Sequence, residues 1–443
     1  MPNRNEEEYD ELIDFDIEDE AWEELESTEQ TAFLAHLIRQ GETEMETETS
    51  LDELERLAET AGIQTLGRYK QKRANPERST FFGKGFLEDI AQRMLQAKAD
   101  ILIINEELSP IQARNIDKSY GIRVIDRTEV ILSIFHDHAK TREAKLQVKL
   151  AELEYQLPRL RKLWGHFDKE RGSARSRGGS ASRGMGEKQI EIDRRLIRSQ
   201  IRAIKRSIDQ VVQHKETQRK QRDNVRKICI VGYTNAGKST LFNALTDAGV
   251  LVQDKLFATL DSTSRQLKLD TGAPVVLSDT VGFISRLPHH LVASFKATLM
   301  EVQNADLLLH TVDSGDDRMD YYIDQVNDVL AQIGADKIPQ ILVLNKADTL
   351  EKTFRLFVAK RYPDAIFISA KLQENLDDLL QKAQDMIFHT EIITLHIPYD
   401  NTALVAKLHE LAKIHVEDYR DDAVYLEITI SAEDRHLIKD YIE

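Results

Sequence analysis

Cysteine is almost absent from this 443-residue chain, where Cys229 stands alone. A single thiol excludes a disulfide framework and any zinc site built from several cysteines, and it points to a reducing cytoplasm. Long apolar runs are missing too. No stretch approaches the roughly eighteen apolar residues of a membrane span, and Met1 to Asp10 does not read as a signal peptide. The paired histidines, His136 with His138 and His289 with His290, lack neighbouring metal ligands. No internal repeat is visible. What is present, 41% hydrophobic and 31% charged residues, is the composition of a soluble protein. At about 100–200 residues per domain the length suggests two to four domains.

Positive charge is scarce only in the total. The net charge is −16, yet residues 1–50 alone hold 18 acidic against 2 basic residues, and everything after Ser50 balances at 58 against 58. Within that balanced part, residues 140–227 carry 25 Lys/Arg against 11 Asp/Glu, net +14. The acidic blocks Glu6 to Glu8 and Glu18 to Glu20, with Glu42, Glu44, Glu46 and Glu48, repel one another. They predict a solvated, disordered tail over 1–49, interrupted by one isolated helix at Phe33 to Ile38.

From Ser50 the pattern turns globular. Ser50 and Glu53 have capping-box spacing ahead of Leu51, Leu54 and Leu57. Helical stretches then alternate with the apolar runs at Ile101 to Ile104 and Val124 to Asp126, which predicts a small α/β subdomain over 50–135. Two apolar seams at coiled-coil spacing follow. One is Leu146, Leu150, Leu153, Leu157, Leu160 and Trp164; the other is Ile190, Ile197, Ile201, Ile204, Ile208 and Val211. Each is too short and too basic to stand alone, so an antiparallel helical hairpin inside a monomer is expected over 136–224, kinked at Pro158. Its tip, residues 171–186, carries Arg171, Arg175, Arg177 and Arg183, five glycines and no acid. Clustered arginines displace counterions from a phosphate backbone, which makes this loop a candidate RNA contact.

Over 225–390 strands and helices alternate, the rhythm of a mostly parallel sheet with crossover helices. Residues 391–443 read strand, helix, strand, short helix, a small α+β domain. Inside the parallel region, Gly232, Tyr233, Thr234, Asn235, Ala236, Gly237, Lys238 and Ser239 match Gly-x4-Gly-Lys-Ser between a strand and a helix, with Thr240 next. Such a loop wraps phosphates with backbone amides, offers Lys238 to the β/γ oxygens and Ser239 to Mg2+. Asp279, Thr280, Val281 and Gly282 end a later strand, placing a carboxylate near the metal and a glycine amide near the γ-phosphate. Asn345, Lys346, Ala347 and Asp348 follow another strand, where Asp348 suits the N1 and N2 donors of guanine. Ser369, Ala370 and Lys371 end the next, with amides for guanine O6. Four such elements in order specify a GTP-hydrolysing site producing GDP and phosphate. Lys238, Thr259 and Gly282 are its candidate catalytic groups.

Phe257, Ala258, Thr259, Leu260 and Asp261 lie between the phosphate loop and Asp279. A threonine there reaches Mg2+ and senses the γ-phosphate, with Thr259 favoured over its rival Thr263. Asn235 is also placed to help hold K+ beside the β/γ bridge. One group is missing: after Asp-x-x-Gly many small GTPases carry a water-orienting Gln, whereas this chain has Phe283. Slow hydrolysis by the isolated protein, accelerated by a partner, is therefore expected.

Those motifs resemble the HflX family of ribosome-binding GTPases. So do Leu108 to Gln112, Val124 to Thr128, Lys145 to Val148, Leu153 to Leu160 and Glu191 to Arg198. The resemblance covers about 50–443. It implies a helical hairpin with a Gly-rich loop directed at the peptidyl-transferase region of the large ribosomal subunit, contact with rRNA, and separation of subunits, notably under stress. It maps the family's Mg2+ ligands onto Ser239 and Thr259. One departure is Arg183, Gly184, Met185, Gly186 and Glu187, where the family usually has Arg-Gly-Pro-Gly-Glu. An alternative is a GTP-gated partner in RNA modification or remodelling, but no catalytic constellation outside 225–390 supports it.

Overall fold

The structure is a computed structural model that describes residues 30–160, 181–220, 225–246, 256–257, 263–267, 269, 275–284, 296–388, 390–420, 423–431 and 434–442. It divides into two units, one from Met1–Asp137 and Pro158–Ile190, the other from His138–Leu157 and Glu191–Glu443.

In the first unit, strand β1 (Thr31–Ile38) is followed by α1 (Glu44–Thr60), β2 (Gln64–Lys72), α2 (Lys84–Ala97) and β3 (Ile101–Ile104). Helix α3 (Pro110–Tyr120), β4 (Val124–Asp126) and α4 (Arg127–His138) complete it. The sheet is all parallel, ordered β2-β1-β3-β4. This corrects the expectation of an isolated helix at 33–38 inside a tail reaching 49. Ala32 to Leu37 are buried on both faces of a central strand, and a short continuous apolar run is what such a strand requires. Periodicity alone does not separate that run from a short helix.

The acids at 42–48 are also folded. Helix α1 starts at Thr43, whose hydroxyl accepts from the Glu46 amide (3.2 Å) while Glu46 accepts from the Thr43 amide (2.8 Å). The capping box expected at Ser50 and Glu53 is therefore displaced by seven residues. Ser50 instead accepts from Asn105 Nδ2 (2.6 Å), and Glu53 pairs with Arg127 (2.6 Å) in a buried network that includes His36 and Glu42. Arg68 of β2 pairs with Asp52 and Glu55, and Lys70 with Glu48, so tertiary partners neutralise the acidic face. Residues 1–29 of the expected tail lie outside the described residues.

The second unit contains α5 (Arg142–Gln156), with Leu146, Leu150 and Leu153 buried. Within α6 (Ala181–Lys220), Ile197, Ile201 and Ile204 are buried, and Lys205 pairs with Glu154 of α5 at 2.7 Å. Pro158 falls in a 3-10 turn, Leu157–Arg159, that follows α5; beyond Leu160 the arm expected to continue from it through Trp164 lies outside the described residues. Helix α6 already begins at Ala181, so Arg183, Gly184 and Gly186 are helical rather than part of a loop extending to 186. Arg171, Arg175, Arg177 and Trp164 lie outside the described residues.

A six-stranded sheet follows, built from β5 (Arg226–Gly232), β6 (Thr263–Leu267), β7 (Val275–Asp279), β8 (Leu307–Asp313), β9 (Gln340–Asn345) and β10 (Ile366–Phe367). Its order is β10-β9-β8-β5-β7-β6, parallel except for β6. One face packs α7 (Lys238–Thr246) and α11 (Leu376–Phe388) on Ile228, Ile230, Leu277, Leu309 and Val343. The other packs α9 (Met319–Gln332) and α10 (Lys352–Arg361) on Val312 and Leu344. Helix α8 (Lys296–Gln303) precedes β8. Cys229 is a buried β5 residue whose thiol is pushed well up by burial.

The last segment is β11 (Thr390–Pro398), α12 (Thr402–Leu411), β12 (Lys413–Tyr419) and β13 (Ala423–Ser431), an antiparallel sheet ordered β11-β13-β12. One strand more is present than the pattern predicts, because β12 and β13 form a hairpin whose two arms read as one segment.

Candidate functional site

Parallel sheets place ligands beyond the carboxyl ends of their strands, where loops and helix N-termini converge. Four expected motifs leave the sheet at this edge. β5 ends at Gly232 and runs through a turn into α7 at Lys238, with Asn235 in the left-handed region at φ 63°. Gly237 has φ 88°, and a side chain there would collide with the Asn345 amide nitrogen. Only glycine satisfies both the backbone and the space.

Lys238 is buried, and its ammonium donates to the Tyr233 carbonyl at 2.7 Å. Burial pulls its pKa down to about 8, and Asp279 opposes that shift. Ser239 donates to Asp279 Oδ2 at 2.7 Å, which brings a hydroxyl and a carboxylate together at the start of α7. Such hard oxygen donors suit Mg2+. Thr280 fixes the end of β7 by donating to the Ile230 carbonyl at 2.7 Å. Beyond Val281, Phe283 donates its amide to the Gly232 carbonyl (3.1 Å) and accepts from the Thr234 amide (2.8 Å). These bonds seat Gly282 against the phosphate loop. An added Cβ would lie 2.8 Å from Thr234 Cγ2 and 2.9 Å from Lys238 Nζ. Phe283 itself is buried and offers no polar side-chain group.

Asn345 ties the remaining loops together. Its Nδ2 donates to the Ala236 carbonyl and its Oδ1 accepts from the Ala370 amide, both at 3.0 Å. Lys346 adopts φ 61° and pairs with Asp313 Oδ2 at 2.7 Å. The Ala347 amide donates to the Ile368 carbonyl (3.0 Å), leaving Asp348 exposed in a 3-10 turn. Ser369 is buried and Lys371 exposed. Because the Ala370 amide already serves Asn345, the Lys371 amide is the better candidate for guanine O6.

Phe257 is buried at φ 55° and Thr240 lies on α7. Ala258, Thr259, Leu260 and Asp261 lie outside the described residues. The rival Thr263 opens β6 opposite Asp279. Sequence reasoning missed two neighbours. Asp313 orients Lys346, and the Tyr322 ring lies 4.2 Å from the Tyr233 ring. An acid closing β8 was a readable signal for the first, whereas nothing local announces the second.

The chain matches three family models: "GTP-binding GTPase N-terminal" over 48–136, "GTP-binding GTPase Middle Region" over 138–222 and "50S ribosome-binding GTPase" over 227–346. It is 40% identical over 423 residues to a GTPase HflX of Caldanaerobacter subterraneus, covering 95% of both chains. A GTPase HflX of Alkalihalophilus pseudofirmus is 45% identical over 346 residues, 77% of this chain and 79% of the relative. Among solved structures, a GTP-binding protein from Sulfolobus solfataricus in complex with GDP aligns at 25% identity and TM-score 0.38, covering 81% of this chain and 99% of its own.

Proposed function

The chain belongs to the GTPase HflX family, a family of ribosome-binding GTPases, and from that premise we propose that its nucleotide state controls docking on the large ribosomal subunit. The observation that carries the proposal is the convergence of Lys238, Ser239, Asp279, Gly282 and Asn345 at one sheet edge. Lys238 leaves the Tyr233 carbonyl for the β/γ phosphate oxygens, while the Gly282 amide meets the γ-phosphate and Asp348 reads guanine N1 and N2. Ser239, with Thr259, would hold Mg2+, and Asp279 would support it through Ser239. Bound there, Mg2+ neutralises charge on the β/γ oxygens. Water attacks the γ-phosphorus, the bond to the bridging oxygen breaks, and GDP and phosphate leave.

Phe283 cannot orient that water, so hydrolysis by the free protein is slow and the ribosome stimulates it. Asn235 is the candidate to bind K+ beside the β/γ bridge; equal turnover in sodium and potassium would remove that role. The basic segment that carries Arg171, Arg175, Arg177 and Arg183 in sequence contacts rRNA, and the expected outcome is subunit dissociation or rescue under stress. Co-sedimentation with large subunits in GTP, a non-hydrolysable analogue and GDP tests the switch. Preferential pelleting with the analogue is expected, and equal pelleting in all three states overturns it.

A further inference from the structure

The residue after Gly282 is where many small GTPases hold the attacking water, and here Phe283 offers only a buried ring. A polar group has to come from a neighbour, and the backbone identifies one. Thr234 donates its amide to the Phe283 carbonyl at 2.8 Å, and Phe283 donates its own amide to the Gly232 carbonyl at 3.1 Å. The phosphate loop and the residue in the glutamine position are therefore bonded side by side. A Cβ built on Gly282 would lie 2.8 Å from Thr234 Cγ2, 3.1 Å from Thr234 Cα and 2.9 Å from Lys238 Nζ. The Thr234 side chain thus stands against the glycine whose amide serves the γ-phosphate, beside the ammonium that serves the β/γ oxygens.

Its hydroxyl is the anomaly. Thr234 is 7% exposed, and Oγ1 is buried with no hydrogen-bond partner among the described residues. The neighbouring hydroxyls of Thr280 and Ser239 are engaged, with the Ile230 carbonyl and with Asp279. A buried hydroxyl normally finds a partner, and valine would fill the same shape without the cost of leaving one unpaired. Groups that break such a local rule concentrate at functional sites. We infer that the Thr234 hydroxyl is a catalytic group of GTP hydrolysis, in which Oγ1 accepts a hydrogen bond from the attacking water in place of the missing glutamine. Accepting one O–H turns a lone pair of the water toward the γ-phosphorus. Thr234 keeps its own proton. The water's proton passes to a γ-phosphate oxygen as the bond to the bridging oxygen breaks, giving GDP and phosphate. One hydroxyl stands in for the carbonyl and the amide of a glutamine, in keeping with slow hydrolysis by the free protein. The inference rests on the reading in which the Gly282 amide meets the γ-phosphate and is independent of ribosome docking.

Single-turnover hydrolysis by the full chain without ribosomes tests this, compared in wild type, Thr234→Val and Thr234→Ser together with affinities for GDP and a non-hydrolysable GTP analogue. Valine keeps the shape and deletes the hydroxyl, whereas serine keeps the hydroxyl. Thr234→Val is expected to hydrolyse GTP about tenfold more slowly or worse, with both affinities within about threefold of wild type. Because it removes an unpaired buried group, its nucleotide-free form should melt no lower than wild type. Thr234→Ser should keep its rate within about threefold of wild type. An unchanged rate for Thr234→Val overturns the inference. So does a matching loss of affinity for the analogue, which would set the hydroxyl on the γ-phosphate and not on the water. A lower melting temperature for the valine variant, or a serine variant as slow as the valine one, also overturns it by giving the side chain a structural role. A wild-type chain that binds GTP without turning it over removes the parent reading and, with it, this one.

Discussion

Replacing Asn345 with alanine removes one side chain that joins two nucleotide-binding loops. The change deletes the bond from Nδ2 to the Ala236 carbonyl and the bond from the Ala370 amide to Oδ1, each 3.0 Å. Asn345 is buried, so both backbone groups are left without that partner in a poorly solvated place. An unsatisfied buried donor or acceptor costs about 1–3 kcal/mol, so the pair costs about 2–6 kcal/mol. Water entering a nucleotide-free pocket recovers part of that cost. The expected loss in affinity is therefore about 2–4 kcal/mol, or roughly 30- to 1,000-fold in Kd. Asn345→Asp keeps an acceptor for Ala370 but sets a carboxylate oxygen against the Ala236 carbonyl, and it is expected to be at least as damaging. Fluorescence titration with a methylanthraniloyl GDP, checked by GDP competition, measures both variants. A Kd within threefold of wild type for Asn345→Ala would refute the view that this side chain holds the two loops in register.

Other consequences are equally direct. Gly282→Ala crowds Thr234 and Lys238 at 2.8 and 2.9 Å; overpacking of about 1–3 kcal/mol should cut GTP affinity and single-turnover hydrolysis by about 5- to 150-fold and leave GDP binding intact. Loss of GDP binding to the same degree would place the clash elsewhere. Asp348→Asn should shift preference from GTP towards XTP, read by competition of the two nucleotides, because the amide can donate where xanthine carries an oxygen. The Lys238 ammonium has a pKa of about 8 in the nucleotide-free protein, and bound phosphates raise it. GDP affinity should thus be flat below that pH and fall about tenfold per unit above it, until the bound-state pKa is reached. A flat profile on both sides would show that the lysine carries no such proton linkage. Deleting residues 1–29 should leave the thermal transition of the first unit unchanged and tighten binding to unrelated RNA at low salt. Deleting 1–49 removes β1 with buried Phe33, Leu34 and Leu37, about 5–9 kcal/mol of burial, and should abolish that transition.

Much of the molecule could be read from local pattern. The parallel region announces itself through the apolar strands β5, β7 and β9, five to seven residues long, each followed by a loop with a recognisable chemical requirement. Glycine where a Cβ would collide, as at Gly237, and Asp279 at the end of β7 are constraints that act within a few bonds. The first fifty residues resisted the same reading. Glutamates at 42, 44, 46 and 48 look like a self-repelling tail only while it is not known that Glu42 pairs with His36, Glu46 caps Thr43 and Glu48 meets Arg68 and Lys70, some twenty residues later. Phe33 to Ile38 carries no period of its own, because a strand buried on both faces has no polar side to reveal it. The pairing of β12 with β13 was hidden for a related reason: β12 shows no alternation of buried and exposed residues that would mark it as a separate strand.

The sequence by itself therefore determined the nucleotide chemistry, since a phosphate loop, a metal-side carboxylate and a guanine-reading aspartate are each defined by neighbours along the chain. It determined too that a basic middle opposes an acidic start. Tertiary structure decided where that acidic start ends, because charge is solvated or folded according to what pairs with it across the sheet. It also decided which amides are already spent, as at Ala370, and which apolar side chains are left outside, as on α10. Those outcomes depend on contacts between residues far apart in sequence, and no local pattern encodes them.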